Sequence, residues 1–136
     1  MAEASMALGT GSGSAQRART RLVGLAFFLL VLHNVDEGFI HPEHGGKLNV
    51  AGNVVLGVLI VFAYARLGRT WRATVTGVVG VLATLQALGG HIVHIVSGDA
   101  TPLDYSGLLY LAGGLLLIGI AVAEFRSHGA VRPAAT

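Results

Sequence analysis

The chain has no cysteine among its 136 residues, which excludes disulfides and thiolate metal sites. Charge is scarce as well: Asp, Glu, Lys and Arg make up 12% of the chain against 53% hydrophobic residues, and the mean hydropathy is +0.68. An average soluble domain carries about twice that share of charge, so the composition assigns the chain to the membrane class. The sequence also lacks a G-x-G-x-x-G phosphate loop, a serine nucleophile elbow and any long repeat. Glycines do cluster at 107–114, but inside an apolar run, where a nucleotide has no place. Polar/apolar alternation is absent from the apolar runs, and this excludes barrel strands.

What is present is four apolar blocks, 22–40, 48–65, 73–96 and 103–123. Each is close to the ~20 residues that cross a bilayer as a helix. The expected fold is all-α, an integral membrane bundle of four transmembrane helices in the cell membrane. It divides into a tail at 1–20, a transmembrane domain at 21–126 and a short tail at 127–136. The glycine/serine-rich start, MAEASMALGTGSGSAQ, precedes the arginines and reads as a disordered tail, since a cleaved signal would put charge before its apolar core.

Basic residues set the orientation. Arg17, Arg19 and Arg21 precede the first block, Arg66, Arg69 and Arg72 lie between the second and third, and Arg126 and Arg132 follow the fourth. Lys47 alone falls on the other side. By the positive-inside rule both termini are cytoplasmic. Tyr64, Trp71 and Tyr105 stand at block ends, where interfacial anchoring is expected. The basic pI of about 9.5 then reflects topology, and singly scattered arginines give no footprint for nucleic acid.

The outer side has the opposite composition. His33, His41, His44, His91 and His94 converge there with Asp36, Glu37, Glu43, Asp99 and Asp104, and Asn49 and Asn53 join them. Within the first block the run LLVLHNVDEGFI sets His33, Asp36 and Glu37 at i, i+3 and i+4, on one side of a helix. Ionisable groups at that depth cost several kcal/mol unless they are paired, hydrated or ligated. A rise of about 1.5 Å per residue puts His33 and Glu37 inside the hydrocarbon, with His91 on the third block near Glu37 in depth. The expected site is therefore a cross-helix cluster of His33, Glu37, His91 and His94. Imidazole and carboxylate suit a transition metal such as zinc or iron, with Asp36, Asp104 or His41 as a fourth ligand or supporting acceptor. An open coordination position would activate water for a lipophilic substrate at the outer leaflet, with Glu37 or Asp36 as general base.

The HNVDE segment resembles the motif of the HXXEE family, small multi-pass membrane proteins named for a histidine followed by paired acids. His33 and Glu37 match the histidine and the second acid, and Asp36 stands where the family has its first glutamate. The resemblance implies metal binding and some enzymatic role, without an assigned reaction.

Plainer readings compete. His41, Pro42, Glu43 and His44, followed by Gly45 and Gly46, read as a wet external loop. His91 and His94 read as interfacial histidines, Asp104 as an acid at a helix start, and Asp36 with Glu37 as a structural polar network. Two further functions stay open: a haem or proton-handling bundle using His33 with His91 or His94, and an accessory subunit without catalysis. Glycines within the blocks allow a tight bundle or a homo-oligomer through glycine-rich helix faces.

Overall fold

In the computed structural model, which describes residues 2–40 and 46–129 with side chains at 13–40, 47–48 and 50–127, every element is helical and no strand occurs among the described residues. Helix α1 (Ala2–Val35) passes directly into a π-helical turn, Asp36–Ile40. Helix α2 (Gly46–Arg66) follows. Helix α3 (Arg69–Ala87) runs through a second π turn, Leu88–Ile92, into the short α4 (Val93–Ser97), and α5 (Pro102–Gly129) completes the chain. Helices α1 and α5 continue past residues 20 and 126, where the span-based division was drawn. His41, Glu43, His44 and the side chain of Asn49 lie outside the described residues.

Three stretches, Gly13–Ile40, Arg69–Ser97 and Pro102–Ser127, are long and apolar enough to cross a membrane, and the apolar part of α2, Val50–Arg66, is shorter. The outside of the structure agrees with a bilayer environment. Phe28, Val55, Leu59, Phe62, Leu82 and Leu85 are all exposed, a surface that water would not tolerate at this extent. Inside, small residues dominate: Ala26, Ala73, Ala83, Ala87 and Ala121 are buried. Without a hydrophobic drive between helices in lipid, close backbone approach is what holds them.

Helix α5 is central, packing extensively on α3 and also on α1, while α2 packs mainly on α1. The α3–α5 contact depends on glycine. A Cβ on Gly80 would lie 2.8 Å from the Gly114 carbonyl oxygen, and one on Gly114 would lie 2.6 Å from Oγ1 of Thr84. These glycines serve packing within the chain. The apolar core, with Val23, Ala26, Phe27, Leu30, Leu117 and Ile120, fills the middle of the structure.

Local sequence explains how α5 begins. Gly98 takes the left-handed conformation (φ 84°) and ends α4, its N–H donating to the His94 carbonyl at 3.2 Å. Thr101 then caps α5, with Pro102 at the first helical position, where a missing N–H costs nothing. The Asp104 carboxylate reaches back to accept from the Thr101 N–H (2.7 Å) and hydroxyl (2.9 Å), which is the acidic half of a capping box.

Of the expected anchors, Trp71 and Tyr105 are exposed at 64% and 58%. Tyr64 is a correction: it is fully buried because its hydroxyl finds a carboxylate partner inside, described next.

Candidate functional site

Two polar clusters flank the apolar core. At one end, His33 of α1 and His91 of the second π turn stand edge to face with ring centroids 4.7 Å apart, and Tyr110 of α5 lies 5.0 Å from the His33 ring. Both histidines are buried, His33 completely. Their tautomers follow from their partners. Ser106 Oγ donates to the Leu103 carbonyl (2.8 Å), which leaves it to accept from His33 Nδ1–H at 2.9 Å. The Asp104 carboxylate can only accept, so His91 donates from Nδ1 to Oδ1 at 3.2 Å. When neutral, each ring therefore carries its lone pair on Nε2. For His33 that atom is buried and has no hydrogen-bond partner.

Gly107 makes room for this pair: a Cβ there would lie 2.4 Å from Cγ of His91. Beside the rings, the Asn34 amide donates to the Leu30 carbonyl (2.6 Å) and accepts from Asn53 of α2 (2.9 Å). Above them opens a vestibule of about 560 Å³ walled by Glu37, His91, His94, Asp99, Thr101 and Asp104 among others. That volume lies within the range of small-molecule sites. The Ser97 hydroxyl, helped by His94, hydrogen-bonds Asp99 and holds its carboxyl below the usual carboxylate range.

The residues of the expected cluster fall in different places. His33 and His91 come together, but Glu37 and His94 line the vestibule and His94 pairs with Asp99 at 3.4 Å. Among the described residues no group of three or more His, Cys, Asp or Glu side chains is arranged to hold a metal. Glu37 falls in the π turn that starts at Asp36, where i→i+5 bonding departs from the regular helical spacing expected for it. Asp36 stays within electrostatic reach of His33. Asp104 is both the helix-start acid and the acceptor for His91. Ligating haem between His33 and His91 would require the two rings, now in contact, to part.

The second cluster, at the opposite end, is one that the sequence reading does not contain. Glu124 of α5 is fully buried, accepts from the Tyr64 hydroxyl of α2 at 2.9 Å, and pairs with Arg19 of α1 at 3.0 Å and Arg69 of α3 at 3.8 Å. Arg72 lies over the Tyr64 ring at 5.5 Å, donates to the Leu67 carbonyl at 2.7 Å and contacts Gln16. One carboxylate thus ties four helices. The available signal was Glu124 itself, an acid embedded in the otherwise arginine-marked end. Comparison with family models, curated proteins and solved structures finds no match for the chain.

Proposed function

We propose that the chain is a four-span protein of the cell membrane, with both termini cytoplasmic, that carries an acid–base site at the floor of an outward-facing vestibule. The observation that carries this reading is the histidine pair. A buried, unpartnered Nε2 on His33 stands against a His91 ring whose Nδ1 is held by Asp104. A carboxylate that fixes the tautomer and orientation of an imidazole is the arrangement in which Nε2 takes a proton from a bound molecule. In this role His91 is the base, Asp104 orients it and steadies the imidazolium, and His33 offers a second acceptor behind it. Glu37, on the vestibule wall, is the acid closest in role to the general base expected from sequence. The proposed kinship with the HXXEE proteins rests on His33, Asp36 and Glu37, of which His33 is central to the site.

Proton handling at this site is local. Along α1, His33 and Arg19 are about 21 Å apart, and buried Val23, Ala26, Phe27 and Leu30 fill the interval. An apolar plug of that length argues against a proton path between the two clusters.

A transition ion, zinc or iron, is the second reading. Asp104 holding a histidine through Nδ1 is also how metal-ligating imidazoles are supported; His33 and His91 would be the nitrogen donors, with no third His, Cys, Asp or Glu side chain grouped with them among the described residues.

The test is modification of the detergent-purified protein with diethyl pyrocarbonate, mapped residue by residue by mass spectrometry. His91 is expected to react, and Asp104→Asn to slow it by about tenfold, the lower end of what losing an orienting partner costs. An inert His91 beside a reactive, exposed His94 would sink the acid–base reading. Protection of His91 by zinc or iron, lost in His33→Ala, would move the assignment to the second reading. Reporter fusions at the two termini and at 98–101 check the topology.

A further inference from the structure

A second, mainly apolar pocket lies next to the vestibule. Between α2 and α3 lies a crevice of about 160 Å³, walled by Phe27, Leu30, Leu56, Val79 and Leu82 and carrying Asn53, Gln86 and Tyr110 as its polar groups. It exists because α2 packs on α1 while α3 packs on α5. Gln86 lines both the crevice and the vestibule, so the two adjoin at that side chain. From Val79 to Gln86 the crevice follows two turns of α3, about 10 Å along the helix.

We infer that the molecule acted on at the histidine pair is an uncharged single-chain amphiphile, its hydrocarbon tail in the crevice and its polar head in the vestibule against His91. This rests on the acid–base reading above and specifies its substrate class. Three observations select the occupant. The lining changes from apolar walls to Gln86 and then to the polar vestibule, which is the polarity profile of an amphiphile. The crevice is narrow, suiting one chain and not a two-chain lipid. The vestibule walls carry the carboxylates of Glu37, Asp99 and Asp104 with no Lys or Arg among the lining residues, a balance that repels phosphate or carboxylate heads and accepts a hydroxyl or ester. A hydroxyl head can donate to the Nε2 lone pair of His91, whose Nδ1–H stays on Asp104.

The probe is a long-chain alcohol bearing a mid-chain diazirine, compared with the fatty acid and alkyl phosphate of the same length, all photolysed with the wild-type protein in micelles. Saturable labelling of crevice residues on α2 and α3, competed by unlabelled alcohol, is expected. The anionic analogues should label about tenfold less, the equivalent of ~1.4 kcal/mol. Leu82→Trp, which fills the crevice from a lipid-exposed wall position, should reduce labelling to a similar degree, and the competition in wild type stands if that variant does not fold. Non-saturable labelling, or equal labelling by the phosphate, overturns the inference. The alcohol should also protect His91 from diethyl pyrocarbonate. A reactive, Asp104-dependent His91 without crevice labelling removes the amphiphile and leaves the acid–base site standing. Crevice labelling beside an inert His91 does the reverse, leaving a lipid site without the chemistry.

Discussion

Adding one methyl group at Gly107 is the most direct probe of the histidine pair. Gly107→Ala and Gly119→Ala are the same change on the same helix, and each gains up to about 1 kcal/mol of helix propensity. At Gly119 a Cβ meets nothing within 4 Å, so that variant should be neutral or slightly stabilised. At Gly107 the new Cβ would lie 2.4, 2.5 and 2.6 Å from Cγ, Cβ and Cδ2 of His91. The ring cannot swing aside freely, since it sits between Asp104 and the His33 ring. Overpacking of this kind costs about 1–3 kcal/mol, and displacing His91 from a carboxylate forfeits about 1.5–3 kcal/mol more. The two variants should therefore differ by about 2.5–6 kcal/mol. Denaturant unfolding in detergent reads the difference, and the His91 ring resonances should move in Gly107→Ala and not in Gly119→Ala. Equal stability with unmoved resonances would refute the claim that the ring is wedged against α5.

Other consequences can be checked in the same preparations. Tyr64→Phe strips the Glu124 carboxylate of a buried donor and should destabilise by about 1–3 kcal/mol, whereas a lipid-facing anchor tyrosine would lose almost nothing in the unfolding assay. Asn53→Ala breaks the amide link to Asn34 and should cost about 0.6 kcal/mol, the usual size of such a bond in a membrane protein; a loss of several kcal/mol would mean that α2 depends on more than this contact. Asp99, outside the helices, titrates below the ordinary carboxylate range because Ser97 and His94 hydrogen-bond it. A lowered folded-state value means that its contribution is present at neutral pH and is lost as the pH falls through that value. Carboxyl NMR should show Ser97→Ala returning Asp99 toward normal, and an unchanged titration would contradict the Ser97 contact.

The helical fold was legible because lipid demands long apolar runs, and the runs were plain. The convergence of His33 and His91 on one end was legible for a related reason: the first and third of consecutive spans run in the same direction, so their C-terminal ends share a side. The partner of His33 was harder. Depth counting at a uniform rise set His91 level with Glu37, whereas its ring meets that of His33; counting from the boundary arginines assumes untilted helices that start at one depth, and neither tilt nor offset is written in spacing. Hydropathy carries no mark of a π turn, so the two at Asp36–Ile40 and Leu88–Ile92 could not be read either. Glu124 was hidden for another reason. Near the end of an apolar run an acid reads as interfacial, and its burial depends on three arginine and tyrosine partners from other helices. Gly107 was one glycine among 20, distinguished only by the ring it faces.

The two oxygens of Asp104 serve different parts of the molecule: Oδ2 closes the first turn of α5 while Oδ1 holds His91 across the gap from α3. The connection at 98–101 is therefore a ruler. Adding or deleting a residue there would change the phase of α5 and the reach to the imidazole together, since one rigid carboxylate reports on both. In most membrane proteins a short external loop is the stretch freest to drift in length. Here it should be among the least free, and among diverged copies of this chain its length should hold constant for as long as His91 is kept.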